Sequence, residues 1–308
     1  MSIEKDRDVD ILEVAPRDGF QSIAEPLPTE EKIAIIEDLL AAGYRRMEIG
    51  SFVSPKAVPQ MADMGTIADH FAARPGLRLA VLVPNRKGAE MAIQHGMREL
   101  VYVFSASEAH NLKNVRQTIE QSLGQLRELV SLGAGGRDLR LRVAIATCFD
   151  CPFDGPVSTD QVRHAVDQAL SIAPTAEIAL CDTTGRANPY QVRERFNRIM
   201  AEFDADGRDW AFHGHDTFGM GVANALFAYE AGVRNLDVSA SGLGGCPFAP
   251  GATGNTAAED LVFALESGGI RTGIDMERLL AVADRINKLP GACTGGHLRV
   301  VPRQRAVA

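Results

Sequence analysis

The segment His213-Gly214-His215 sets two imidazoles two residues apart in an otherwise apolar run. In a β-strand such residues point to the same side, so both rings can meet one ion, and the glycine between them leaves room beside the pair. Two hydrogen-bonded interior histidines satisfy the same spacing, so the motif alone leaves both readings open. Asp18 adds weight to the metal. It follows the first predicted strand, which in a closed barrel lies next to the seventh and eighth. Two histidines, one carboxylate and, as a further donor, the Asn255 amide form a nitrogen and oxygen set without thiolate. Such a set suits six-coordinate Mg²⁺ or Mn²⁺ with positions left for substrate oxygens better than a closed structural zinc.

Arg17 precedes Asp18 and stands where a developing enolate or thioester oxygen would need a fixed cationic donor. Glu48 falls in an apolar strand, Met47-Glu-Ile-Gly50, where an unpaired buried charge would cost several kcal/mol. Pairing with Arg17 would satisfy both, and a solvated place at the rim is the other solution. The stretch Gly242 to Asn255 holds five glycines and two prolines, counting both ends, with Cys246 in its middle. Such a loop can cradle phosphate on its backbone N–H groups or act as a hinged lid. Cys148, Cys151, Cys181 and Cys293 are read as packing residues, and Cys148-Phe-Asp-Cys151 lacks the second pair a zinc or redox site would need.

Positioning these groups requires a repeated scaffold. Short apolar runs at about 11–15, 46–50, 78–83, 99–104, 140–147, 176–181, 209–214 and 235–240 predict eight strands. Amphipathic stretches lie between them. In Thr29 to Ala42, Glu30 and Glu31 open the first turn and Ile33, Ile36, Leu39 and Leu40 share a face. Further helices are predicted over Val115 to Leu132 and Thr159 to Ile172. Eight strand and helix units predict a single-domain (β/α)₈ TIM barrel, an α/β fold spanning 1–308, with the barrel at about 9–274 and a short C-terminal helical extension at about 275–308. The first strand is not followed by G-x-G-x-x-G, which speaks against a doubly wound dinucleotide fold. In a barrel the chemistry sits at the C-terminal ends of the strands. That rim collects Arg17, Asp18, Glu48, Ser51, Ser105, Ser107, Asp182, His213, His215 and Asn255. Gln21, Ser51, Asn85, Ser105, Ser107, His110 and Arg186 are the candidate substrate-binding residues.

Composition agrees with a soluble globular chain: 308 residues, 45% apolar and 23% charged. A formal net charge of −8 argues against a nucleic-acid partner while leaving room for an anionic ligand held by local cations. Five cysteines, a charged N-terminal run and no apolar stretch of membrane-spanning length predict a cytoplasmic protein with reduced thiols and no membrane partner.

Several motifs together resemble the 3-hydroxy-3-methylglutaryl-CoA lyase family, within the wider group of barrel metallolyases. They are Ala15-Pro-Arg-Asp-Gly-Phe-Gln21, Glu48-Ile-Gly-Ser-Phe-Val-Ser-Pro-Lys56 with Val58-Pro-Gln-Met61, Pro84-Asn85, Cys181-Asp-Thr183, His213-Gly-His-Asp-Thr217 and the Gly242 to Asn255 loop. The resemblance covers about Ile11 to Gly273. It implies Asp18, His213, His215 and Asn255 as ligands of Mg²⁺ or Mn²⁺, and Arg17 as the group that binds the substrate carbonyl and steadies an enolate. Glu48 would orient Arg17, Cys246 would be the acid/base on a mobile loop, and Asp182 would assist proton transfer. The implied partner is a small acyl-CoA substrate, and the implied assembly a homo-oligomer, dimer or tetramer. The implied reaction is retro-Claisen cleavage to acetyl-CoA and acetoacetate.

Three departures lie on the substrate rim: Ser22-Ile-Ala24 after Gln21, the His110-Asn111 pair, and Arg186. They bear on the acyl group rather than the chemistry. Cleavage of a related 3-hydroxyacyl-CoA such as citramalyl-CoA is therefore the nearest alternative, followed by acetyl-CoA condensation of the isopropylmalate synthase kind. A zinc hydrolase would more often carry its H-x-H on the first strand. A non-catalytic CoA or metal-binding barrel is disfavoured because every catalytic position is filled.

Overall fold

A computed structural model of the protein describes residues 6–133, 138–203, 207–245 and 254–306. Eight parallel strands close into a barrel: β1 (Asp10–Glu13), β2 (Arg46–Ser51), β3 (Arg78–Leu82), β4 (Glu99–Ser105), β5 (Arg140–Ala146), β6 (Glu177–Asp182), β7 (Trp210–Gly214) and β8 (Asn235–Val238). Each strand pairs with its sequence neighbours, and β1 closes the ring on β8 in the register Asp10 with Asn235 to Glu13 with Val238. Eight helices cover the outside: α1 (Thr29–Ala41), α2 (Met64–Phe71), α3 (Arg86–Gln94), α4 (Ile119–Gly133), α5 (Thr159–Ile172), α6 (Pro189–Phe203), α7 (Gly221–Glu230) and α8 (Ala258–Ser267). α9 (Met276–Ile286) follows. Among the described residues no helix is long and apolar enough to cross a membrane.

Two boundaries differ from the sequence expectation for local reasons. β1 ends at Glu13 because Ala15–Gly19 coils into a π-helical turn in which the N–H groups of Arg17, Asp18 and Gly19 converge on the Val14 carbonyl. Rare π-turns often mark functional sites, and this one carries Arg17 and Asp18. The helix expected from Val115 starts instead at Ile119. Thr118 Oγ1 accepts the Gln121 N–H at 3.1 Å while Gln121 Oε1 accepts the Thr118 N–H at 2.9 Å, a reciprocal cap that fixes the start. α5 begins as expected, with the same kind of cap between Ser158 and Gln161.

The main core lies between sheet and helices, where outward strand residues such as Ile11, Met47, Val81, Phe104, Val143, Ile178 and Phe212 meet the helices' apolar faces. The barrel interior is different. Small side chains, Ala80, Val101, Ala144, Ala179, Cys181 and Ala211, form a separate inner cluster. Beneath them Arg46 contacts Glu99 at 2.8 Å and Glu177 at 2.6 Å, and Arg78 contacts Glu99 at 3.0 Å. Long charged side chains fill the lower barrel, so only small apolar residues fit above them. α9 packs back on α1 through Leu279, Val282 and Ile286, and Arg285 holds Glu31 at 3.0 Å and Asp38 at 2.5 Å. The extension is thus built into the barrel wall.

Candidate active site

Arg17 is gripped from two sides at the mouth of the barrel. Its Nε and Nη2 donate to Glu48 Oε1 and Oε2 at 2.8 and 3.1 Å, and Nη1 donates to Asp18 Oδ1 at 2.6 Å. Glu48 is 3% exposed and Arg17 14%, so the fork is held in a partly dry site with little rotational freedom. Burial alone would lower the guanidinium's pKa, but Glu48 and then Asp18 more than reverse this and hold it fully cationic. The pairing of Glu48 with Arg17 is thus the one of the two expected solutions that forms.

Around Asp18 the ligand set converges. One donor atom each from Asp18, His213 and His215 lies within 4.8 Å of the others, His215 Nε2 is 3.9 Å from Asp18 Oδ2, and the two ring centroids are 5.3 Å apart. Burial tends to raise the Asp18 carboxyl, but Arg17, then the two imidazoles and the Asn255 amide, hold it well below the usual carboxylate range. Burial, with His213 alongside, pushes His215 down to about 4, so it is neutral and able to donate a lone pair at physiological pH. The Asn255 amide uses both hydrogens, on Asp18 Oδ2 at 2.8 Å and the Leu243 carbonyl at 3.1 Å. Its Oδ1 is buried and meets no partner among the described residues. A carboxylate and two imidazoles at one spot, with an orphaned amide oxygen on the residue bonded to that carboxylate, fit a divalent cation in both chemistry and burial.

The glycine in His213-Gly-His215 serves a different purpose from the expected one. Phe212 and Gly214 face outward, and a Cβ on Gly214 would sit 2.7 Å from the Phe212 ring. Gly244 is the residue that makes room at the site, since a Cβ there would come within 2.5 Å of Asn255 Nδ2.

Two buried carboxyls fix the backbone of the rim. Glu13 Oε1 accepts the Ala15 N–H at 2.8 Å and the Ala240 N–H at 3.0 Å, tying the Arg17-Asp18 turn to the root of the glycine-rich loop. Glu259 Oε2 accepts the N–H of Ser241, a non-glycine residue at φ 62°, at 3.0 Å. Desolvation pushes Glu13 up to about 8 and Glu259 up to about 7. Between its ordinary value of 4.5 and about 8 the folded state therefore binds the Glu13 proton more tightly than the unfolded chain. The folded state then loses stability as pH rises through that window. Glu13→Gln, which cannot titrate, should flatten the fall in thermal midpoint of metal-free protein between pH 5 and 8. An unchanged slope would remove Glu13 from that role.

The remaining candidates divide. Asp182 is fully buried, accepts the Ala187 N–H at 3.1 Å, and is pushed up to about 7 by burial, within range of proton exchange near neutrality. Ser51 is buried with Oγ unpartnered among the described residues, beside Glu48 on β2. Ser105 Oγ and His110 Nδ1 are 2.7 Å apart, and burial pushes His110 down to about 4. Ser107 is committed elsewhere: it caps Glu108–Asn114 by accepting the His110 N–H at 3.2 Å and donates to Asp154 at 2.7 Å. Asn85 caps α3 by accepting the Gly88 N–H at 3.0 Å, and Gln21 is exposed. Arg186 is exposed, lies 5.3 Å from the Phe218 ring centroid, and lines a cavity of about 310 Å³ with Phe149, Asp150 and Gln191. Cys246 falls outside the described residues. Cys148, Cys151 and Cys181 are buried as expected, but Cys293 is exposed: it lies beyond α9, where its carbonyl accepts the Gly244 N–H at 3.2 Å.

One pair went unread in the sequence. Asp237 on β8 stands opposite His213 in register, with Oδ2 3.1 Å from His213 Nδ1, and Arg142 Nη2 donates to that same oxygen at 2.6 Å. The signal was strand parity: Asp237 shares the inward face of β8 with Asn235, as Arg142 shares that of β5 with Ala144.

Comparison with known proteins is consistent across the chain. The profile of the HMGL-like family matches residues 8–286. The hydroxymethylglutaryl-CoA lyase YngG of Bacillus subtilis is 40% identical over 283 residues, covering 92% of this chain and 93% of that protein. An (R)-citramalyl-CoA lyase of Chloroflexus aurantiacus is also 40% identical, covering 92% and 91%. Against the longer mitochondrial hydroxymethylglutaryl-CoA lyase of Arabidopsis thaliana, 38% identical, the chain spans 63% of that protein's length. Among solved structures, an HMG-CoA lyase from Acinetobacter baumannii in complex with coenzyme A and 3-methylmalate superposes with a TM-score of 0.89. It is 38% identical over 98% of this chain and 97% of the other.

Proposed function

The chain belongs to the HMGL-like family, and on that premise we propose that it is a divalent-metal-dependent carbon–carbon lyase cleaving (S)-3-hydroxy-3-methylglutaryl-CoA to acetyl-CoA and acetoacetate. The observation that carries this reading is the contiguous Glu48–Arg17–Asp18 chain ending on His213 and His215. A forked cation is held within one residue of a metal-binding carboxylate.

Asp18, His213, His215 and Asn255 would hold Mg²⁺ or Mn²⁺, which would supply Lewis acidity to substrate oxygens. The hydroxyl loses its proton, its oxygen becomes the ketone of acetoacetate, and the bond between C2 and C3 breaks. The electron pair passes into the thioester as an enolate. Arg17 is already desolvated and oriented by Glu48, so it can donate to that oxygen without reorganising. Burial pushes Asp182 up to about 7, which supports a role in holding or releasing a proton near neutral pH. Cys246 returns a proton to the new methyl carbon, which completes acetyl-CoA.

A second reading rests on a specific observation, since the chain is as similar to a citramalyl-CoA lyase as to the Bacillus enzyme. His110 and Arg186, which depart from the family pattern, are the residues that would read the acyl group. Citramalyl-CoA broken at the same bond yields acetyl-CoA and pyruvate. Metal-loaded protein offered both thioesters should form acetyl-CoA fastest with the hydroxymethylglutaryl compound, followed by mass spectrometry. Faster pyruvate formation would move the assignment to citramalyl-CoA, and no cleavage of any 3-hydroxyacyl-CoA would end the lyase reading.

A further inference from the structure

His213 and His215 share a face of β7 but are held by different means. His215 Nδ1 is buried and meets no partner among the described residues, whereas His213 Nδ1 lies 3.1 Å from Asp237 Oδ2. Asp237 is 6% exposed and Arg142 3%, so neither has water to turn to. Arg142 Nη2 donates to the same Asp237 oxygen at 2.6 Å, and Arg142 Nη1 is 3.3 Å from Glu177 Oε1. Glu177 is bound to Arg46 at 2.6 Å, Arg46 to Glu99 at 2.8 Å, and Glu99 to Arg78 at 3.0 Å. The carboxylate under His213 is therefore the top of an ion-pair chain running down the barrel axis, and it cannot swing away without breaking that chain.

We propose that Asp237, locked by Arg142, is a positioning residue: it fixes His213 in the tautomer that carries its proton on Nδ1, leaves Nε2 free for the cation, and thereby sets metal affinity. This rests on the reading of Asp18, His213 and His215 as the metal site. An ionised carboxylate only accepts, so the nitrogen facing it must donate. Arg142 Nη2, 2.6 Å from that oxygen in a buried ion pair, is the partner of a carboxylate. Orienting partners of this kind change metal affinity by about 10–100-fold when removed.

Asp237→Asn keeps the size and removes the charge. An amide oxygen at the Oδ2 position can still accept from Arg142 and His213, but without the ion pair that locks it, and the N–H₂ is left at the buried Oδ1 position, which has no partner among the described residues. We expect Mn²⁺ to bind about 10–100-fold more weakly to folded Asp237→Asn than to wild type, read by electron paramagnetic resonance of free Mn²⁺. Long-range ¹⁵N–¹H spectra of the metal-free wild type should show His213 protonated on Nδ1, with mixed tautomers in the variant. Affinity within twofold of wild type in a folded variant, or a wild-type His213 protonated on Nε2, would overturn the proposal. If Asp237→Asn does not fold, Arg142→Lys reads the same link, because it keeps the charge and loses the fork, and unchanged affinity there overturns it too. His213→Ala separates the two readings. If wild type binds no Mn²⁺, or His213→Ala binds as wild type does, the metal reading fails and takes this proposal with it. If His213→Ala abolishes binding while Asp237→Asn does not weaken it, only the positioning role fails.

Discussion

Arg17→Lys should lower kcat by about 10²–10³-fold while Mn²⁺ affinity stays within a few fold of wild type, because it removes one preorganised oxyanion donor and keeps the charge. The guanidinium spends three of its N–H groups holding Glu48 and Asp18, at 2.8, 3.1 and 2.6 Å. Those bonds fix the direction of its two remaining N–H groups, which the proposed mechanism assigns to the enolate. An ammonium on a flexible stem can neutralise Glu48 or Asp18, but it cannot bridge both and still present a fixed donor. KM should change less than kcat, since the enolate exists only after the bond breaks. Steady-state acetyl-CoA formation and a Mn²⁺ titration on the same preparation check both halves. A variant with wild-type kcat would show that Arg17 serves only to balance charge. Arg17→Ala is the less informative substitution: it leaves Glu48 buried without a partner at a cost of about 3–5 kcal/mol, so lost activity there would mix chemistry with misfolding.

The sequence made the barrel and most of its rim legible because both depend on local pattern. Eight apolar runs separated by amphipathic helices allow few architectures, and polar residues falling at the ends of those runs are visible one strand at a time. Glu48 stood out as a charge within Met47-Glu-Ile-Gly50, and its pairing with Arg17 follows from β1 and β2 being neighbours. What escaped is information carried across strands. Arg46, Glu99, Arg142, Glu177 and Asp237 each look like an ordinary polar strand residue. Only the closed register shows that all face one axis and interlock. Ser107 and Asn85 show the opposite ambiguity: both follow strands as candidate substrate contacts, and their side chains also cap the helices that follow. Short polar residues after a strand serve caps as readily as ligands, and sequence position alone does not separate the two uses. The glycine of His213-Gly-His215 belongs to the same lesson, since its bareness answers to Phe212 outside the barrel rather than to the imidazoles inside.

Cys246→Ala should lower turnover by about 10²–10⁴-fold, the range for losing a positioned acid/base, with Mn²⁺ affinity unchanged. The two ends of its loop are packed directly on the metal site. Gly244 abuts the Asn255 amide, Asp216 donates its N–H to the Gly254 carbonyl at 3.0 Å, and Gly295 donates to the Ser241 carbonyl at 2.8 Å. In the proposed mechanism the thiol acts after carbon–carbon cleavage, so its loss should separate cleavage from product completion. In rapid-quench experiments the first turnover of acetoacetate should still form in a fast burst ahead of slow turnover, and in deuterated water the label should enter the acetyl methyl more slowly than in wild type. Cys246→Ser, a weaker acid of similar size, should recover only a small part of the rate. Buried Cys148 and Cys181 provide the control: burial pushes Cys148 up to about 12 and Cys181 well above its ordinary value, so replacing either should leave proton transfer untouched. Wild-type turnover in Cys246→Ala would return the role to Asp182, a rim carboxyl that burial pushes up to about 7.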